Sequence, residues 1–261
     1  MNFFPPISYR FIRIWQRNLT VHKKTWKITG IPPLLEPLFY LAAFGMGLSV
    51  MAGPIHYHGT AVTYTAFIAP GLVAINVMQS AFFENTYGSF VRMTYQKTFD
   101  AILATPLTLP EVVLGEIFWG ATKAAYSSVL MMAVLIPFGL LNLSDVLLIL
   151  PIAFIGGFAF ACAGMVCTAI TPSIEIFNLP IFLFITPMFL FSGTFFPLEN
   201  LPTWAQAVAN ALPLTHLVNL IRSVALGRLS AADIVPMLYL VAMSVILLPL
   251  ALVGIRRRLI R

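Results

Sequence analysis

The sequence predicts an all-α, polytopic membrane protein with six transmembrane helices, and three observations predict it. The chain is 59% hydrophobic and 9% charged, whereas an ordinary soluble domain is about a quarter charged. Six apolar stretches approach the roughly 20 residues that a helix needs to cross a hydrocarbon core. Lysine and arginine, which produce the net charge of +6, collect in short segments beside those stretches, as membrane topology requires. A soluble chain of 261 residues would need many more charged side chains to cover its surface. The basic residues do not form a face interleaved with stacking aromatics, which argues against a nucleic-acid partner. The spans must be helices, because unpaired backbone groups are too costly in hydrocarbon and the alternation of barrel strands is missing.

The first element is a cytoplasmic segment, 1–30, that does not cross. Between Ser8 and Lys27, the cations Arg10, Arg13, Arg17, Lys24 and Lys27 recur near helical spacing. Phe11, Ile14, Trp15, Leu19 and Trp26 favour other faces, so an amphipathic interfacial helix fits better than a disordered basic tail. The first long apolar run begins only near Ile31, which is not the pattern of a cleavable signal. The spans follow as Ile31 to Met51, Ala61 to Phe83, Val112 to Phe138, Val146 to Ile170, Phe177 to Phe195 and Ile234 to Gly254. Together they make a single transmembrane domain, 1–261, with five spans inside 31–195, a hairpin at 196–233, the last span at 234–254 and a tail at 255–261.

Orientation follows from the basic residues. Those of the first segment, Arg92 and Lys97 after span two, and Arg256, Arg257, Arg258 and Arg261 at the end all fall on one side. Arg222 and Arg228 fall on the other, so both termini are expected in the cytoplasm.

The stretch from Phe196 to Asp233 is long for a loop and too apolar for a solvated one. Pro202 and Thr203 suit the start of one short helix, Pro213 separates it from a second, and Gly227 ends that one. In the second helix, Leu214, Leu217, Val218, Ile221, Val224 and Ala225 form an apolar face, and Thr215, His216, Asn219, Arg222 and Ser223 form a polar one. This is the pattern of a re-entrant helical hairpin dipping into the outer leaflet, with Trp204, Pro213, His216 and Arg222 as its residues of interest. His216 reads first as a satisfied interfacial residue and only second as a ligand.

Ionisable groups inside spans are costly and default to functional candidates. Glu36, Glu84, Glu116 and Lys123 qualify, although Glu36 and Glu84 fall near the expected cytoplasmic ends of spans one and two, where a hydrated, structural carboxylate is an equal reading. Glu116 and Lys123 share a face of span three two turns apart, which suggests a common polar interior without requiring a direct pair. Catalytic and nucleotide motifs fail: Gly115 to Lys123 lacks a lysine directly after its second glycine, and there is no H-E-x-x-H or G-x-S-x-G. His56 and His58 lack a third metal ligand, and Cys162 and Cys167 lie in one apolar stretch as small core residues. Ala153, Gly157 and Ala161 allow close helix approach, either within the subunit or at a dimer contact. The function classes left open are a transporter, a channel or scaffold, and an intramembrane enzyme, the last without a catalytic constellation. Among transporters, a secondary carrier is disfavoured by the lack of inverted repeats and clustered intramembrane carboxylates.

After span two the chain reads Arg92-Met-Thr-Tyr-Gln-Lys97-Thr-Phe-Asp100, then reaches Thr105-Pro106-Leu107 and Glu111 before span three. This resembles the signature of ABC-2 type transporter permeases, in which a short coupling helix precedes a Thr-Pro-Leu turn and an acidic residue. Glu36-Pro37-Leu38, Trp119 with Ala121-Thr122-Lys123, Gly164-Met165-Val166, Ile185-Thr186-Pro187-Met188, Phe191-Ser192-Gly193 and Leu212-Pro213-Leu214-Thr215-His216 extend the resemblance to the nodulation protein J branch over nearly the whole chain.

The resemblance implies a half-transporter of a bacterial inner membrane. Two copies would form a homodimeric pathway, and two copies of a separate ATPase, carrying the ATP and Mg, would drive it. The chain itself would bind no cofactor or metal and would not be an enzyme. Amphiphiles such as lipo-oligosaccharides, polysaccharides and drugs are the expected cargo, beside membrane lipid. The coupling helix and interfacial helix would rest on the ATPase, and the re-entrant hairpin would cap the pathway outside. In that coupling region, which begins at Arg92, Phe99, Ile102 and Leu103 are suited to a partner groove, and Lys97 and Asp100 to its rim. The competing reading is that Phe99 packs against the ends of its own helices.

Overall fold

A computed structural model describes residues 8–48, 53, 55–57 and 60–259. Helices dominate. The first, α1 (Phe11–Tyr40), continues without interruption into π-helical turns at Leu41–Leu48. The amphipathic segment and the start of the first expected span are therefore one helix, with no break near residue 30. Thr25 and Thr29 donate their hydroxyls to helix carbonyls one turn back, and the helix tolerates Pro32, Pro33 and Pro37 within it. The end of that expected span, through Met51, lies outside the described residues.

A short antiparallel pair follows, β1 (Ile55–Tyr57) and β2 (Thr60–Val62), with Ile55 opposite Val62. His58 and the side chain of His56 lie outside the described residues. Next comes α2 (Tyr64–Phe83), extended by π-helical turns at Glu84–Gly88 and Val91–Tyr95. Lys97, in the left-handed region at φ 53°, turns the chain into the short α3 (Thr98–Leu103). Then α4 (Leu109–Leu135) starts where the Glu111 carboxylate accepts the Thr108 N–H at 2.8 Å, a cap that satisfies an orphan donor of the first turn. In the same way Asp145 accepts the Asn142 N–H at 2.8 Å at the start of α5 (Leu143–Ile170).

The remaining elements are the irregular helix α6 (Ile174–Phe191), the hairpin helices α7 (Thr203–Ala211) and α8 (Pro213–Ala225), and α9 (Ile234–Leu259). Five helical segments among the described residues are long and apolar enough to cross a membrane: 64–95, 109–135, 143–170, 174–191 and 231–259. The α2 segment is the most buried of these and α6 the least. The core forms where α2, α4 and α5 meet, with α1 on α4, α9 on α5, and α8 against α2.

Missing side chains allow the closest crossings. A Cβ on Gly157 would sit 3.0 Å from the Ala124 Cβ, and Ala153 and Ala161 are fully buried. The small-residue stripe of α5 thus packs within the subunit. On the other side of α4, a Cβ on Gly115 would lie 2.5 Å from the Ile14 Cβ and 2.8 Å from the Phe11 carbonyl. That contact lets α1 lie directly on α4, fastened by Trp15 Nε1 donating to Thr122 Oγ1 at 3.0 Å.

Candidate functional site

Charged side chains from α2 and α4 meet at the foot of this bundle. The Lys123 Nζ lies 2.6 Å from Glu84 Oε2, and Trp119 Nε1 donates to Glu84 Oε1 at 3.1 Å. On its other side Glu84 meets Arg92 Nη1 at 2.8 Å. Arg92 then reaches Glu116, with Nη2 at 2.6 Å and Nε at 2.8 Å from Oε2. Ser89 Oγ donates to that same oxygen at 2.9 Å, and Asn18 Nδ2 of α1 donates to Oε1 at 2.9 Å. Two carboxylates and two cations are thereby held with little solvent exposure, the condition under which buried charge is tolerated. Gly88 makes room: a Cβ there would stand 3.0 Å from Glu84 Oε1 and 3.3 Å from Arg92 Nη1.

This charged ladder borders a chamber. Two cavities of about 400 Å³ each share His22, Thr29, Glu84, Tyr87, Gly88 and Lys123 in their walls. One is continued by Glu36, Asn76, Gln79, Ser80, Tyr126 and Ser127. Asn76 accepts the Ser127 hydroxyl at 2.7 Å and shares this wall with Glu36. The lining therefore combines carboxylate, amide, hydroxyl and aromatic groups. Edge-on contacts of His22 with Trp119 and Tyr126, at 5.4 and 5.2 Å between ring centroids, close the α1 side.

Residues 9–226 match the family described as ABC-2 type transporter. The chain belongs to that family. It is 41% identical over 224 residues to Nodulation protein J of Rhizobium leguminosarum bv. trifolii, covering 86% of this chain and 84% of that protein. Nodulation protein J of Rhizobium meliloti (strain 1021) is 38% identical over 223 residues, 85% of this chain and 84% of the relative. A more distant relative is the inner membrane transport permease YadH of Escherichia coli (strain K12), 23% identical over 209 residues, 79% of this chain and 78% of that protein. The chain is thus a polytopic membrane transport permease.

Within this ABC-2 type permease, the four intramembrane candidates fall together around the chamber and its ladder. Glu116 and Lys123 do not touch; Arg92 and Glu84 link them. Arg92, grouped by sequence with the ATPase-coupling residues, points inward onto the Glu84 and Glu116 carboxylates. Phe99 corrects its expected place in a partner groove and follows the competing reading: it is fully buried in its own core, because the six-residue α3 folds back beneath α2 and α4. Ile102 and Leu103 are half-buried against that core, while Tyr95, Lys97, Asp100, Ala101 and Ala104 face outward.

At the opposite end, Arg222 is buried and not on an exposed polar face. Its Nε donates to the Phe67 carbonyl at 3.2 Å and its Nη2 to the Gly193 carbonyl at 2.8 Å, with the guanidinium 3.9 Å from the Phe67 ring centroid. The physical reason is that these backbone acceptors and aromatic faces replace water around the cation. Pro213 opens α8, Trp204 is exposed, and His216 stacks on Tyr239 at 4.0 Å while bonding the Asn210 carbonyl. Sequence reasoning missed Asn18 and His22. Their signal was available, since Asn18, Val21, His22 and Thr25 recur on one face of α1 opposite the cationic residues.

Proposed function

We propose that this chain is the membrane subunit of an ATP-driven exporter in a bacterial inner membrane. Two copies form the pathway, and two copies of a separate ATPase bind the cytoplasmic side through the outward face of α3 and the start of α1. Both termini lie in the cytoplasm, and 196–233 dips into the outer leaflet as the cap of the pathway. The observation that carries this reading is the position of Arg92. It lies in the π-helical foot of α2 from which α3 hangs, and it also binds the two carboxylates beside the chamber. A displacement of α3 is therefore also a displacement of the chamber wall, which is how a rigid-body motion outside can change a pathway inside.

The chamber lining favours an amphiphile with a polar, hydroxyl-bearing headgroup, such as a lipo-oligosaccharide. Amides, carboxylates and hydroxyls bind such a group, and Tyr87 and Tyr126 offer ring faces. The description of the YadH relative as an inner membrane permease supports the location. The test is purification of the chain alone and together with an ATPase encoded beside it. The complex should hydrolyse ATP faster when amphiphile is added, and the isolated chain should not hydrolyse it. Hydrolysis by the isolated chain, or failure of any ATPase to associate with it, defeats the reading. Thiols placed near Asn200 and Lys97 should be labelled from outside and inside respectively.

A further inference from the structure

We propose that the pocket between the C-terminal ends of α5 and α9 binds an anionic phospholipid, with Arg257 as the principal cation for its phosphate. The two helices touch at Gly254, where a Cβ would stand 2.7 Å from the Ala169 Cβ. Beside that contact a pocket of about 580 Å³ opens, walled by Ile170, Thr171, Pro172, Gly254, Arg257 and Arg258. The two arginines play different parts. Arg258 Nη1 donates to the Thr168 and Thr171 carbonyls, and its guanidinium lies 5.0 Å from the Phe90 ring centroid. It is therefore fixed in place and offsets the negative end of α5. Arg257 is exposed, and among the described residues it makes no hydrogen bond or ion pair. The pocket consequently keeps a positive charge that faces outward.

The apolar surroundings select a lipid over a soluble anion. Leu250 and Ile246 lie one and two turns back from Gly254 on the same stripe of α9, and both are exposed. Ile170 on the facing helix is 74% exposed. A phosphodiester held by Arg257 would place an acyl chain along this stripe, whereas free phosphate would leave it uncovered. Basic pockets between helix ends at headgroup depth bind anionic lipids on these same grounds.

The experiment is native mass spectrometry of the full chain in detergent, titrated with phosphatidylglycerol or phosphatidylcholine. The wild type should retain phosphatidylglycerol in preference to phosphatidylcholine. Arg257→Gln, at an exposed position, should weaken that retention about fivefold, the worth of one basic residue near an anionic headgroup. Arg257→Lys should keep most of it, and Arg257→Glu should abolish the preference for phosphatidylglycerol. Equal retention of the two lipids, or undiminished retention by Arg257→Gln, overturns the proposal. Displacement of the lipid by millimolar inorganic phosphate would make the site a phosphate site and overturns it too. So does Arg257→Gln releasing a co-purified ATPase while retaining lipid, since the pocket would then be a protein contact.

Discussion

Arg92 grips a single oxygen of Glu116 with two nitrogens, Nη2 at 2.6 Å and Nε at 2.8 Å. The contact joins the foot of α2 to the first third of α4, and Glu116 has no exposed surface. Replacing Arg92 with Gln would leave that carboxylate buried without its cation, a change that costs about 3–5 kcal/mol when one partner of a buried pair is removed. Arg92→Gln should therefore lower the melting temperature and transport together. The double variant Arg92→Gln with Glu116→Gln should recover part of the melting temperature. Thermal unfolding of both variants in detergent checks this, and equal melting of the single and double variants would show that the pair is not coupled.

The close crossing at Gly115 gives a second expectation. A methyl group there would overlap Ile14 and the Phe11 carbonyl, and backbone cannot yield as a flexible side chain does. Overpacking of this kind costs about 1–3 kcal/mol. Gly115→Ala should lift α1 from α4 and raise the reactivity of a thiol placed at Ile14, which is buried in the native chain. Gly47→Ala is the control, because nothing among the described residues lies within 4 Å of a Cβ at that position.

Five of the six expected spans were legible because length and hydropathy alone decide them, and the break at Pro213 and the stop at Gly227 were legible because those residues act locally. The ladder was not. Glu84 and Lys123 stand 39 residues apart and Asn18 and Glu116 stand 98 apart, so only the packing of α1, α2 and α4 could pair them. Residue type misled at three positions. Arg92 and Phe99 around a short connecting helix and Arg222 on an expected polar face are each suited to an outward role by chemistry, and each is turned inward by the element that carries it. The continuity of α1 was hidden for the opposite reason, because Pro32 and Pro33 look like breakers in isolation and the helix tolerates them.

The hairpin should respond to pH through His216. Burial pushes its imidazole below the ordinary value, offset in part by the bond to the Asn210 carbonyl. Above the ordinary pKa of about 6.5 the ring is neutral in the native and opened states alike, so stability is unaffected. As pH falls below that value, the opened form takes up the proton first, and stability is lost. A thiol placed at Ala209, buried in the native hairpin, should become more reactive as pH is lowered from neutral to about 5.5. His216→Gln should remove that pH dependence; if it persists unchanged, another group controls the hairpin.

The last prediction separates the inner face of α3 from its outer face. Phe99 is enclosed by its own chain, so Phe99→Ala should leave a cavity and cost about 3–5 kcal/mol, the usual range for a buried phenylalanine. The loss should appear in the melting of the isolated permease, before any partner is present. Lys97 and Asp100 are exposed, and their charges lie 4.0 Å apart, a spacing worth little to the fold at a solvated surface. Exchanging them, Lys97→Asp with Asp100→Lys, should leave melting unchanged. If the outward face of α3 is where an ATPase docks, the exchanged protein should lose ATPase co-purification and substrate-stimulated hydrolysis, because charges at a rim fix orientation and association. Ala101→Trp, which adds bulk at the centre of that face, should do the same at normal expression. Melting and co-purification measured on the same preparations distinguish the two faces. If Phe99→Ala releases the ATPase at unchanged melting while the exchange and Ala101→Trp retain it, the inner residue is the contact and the outward face is not.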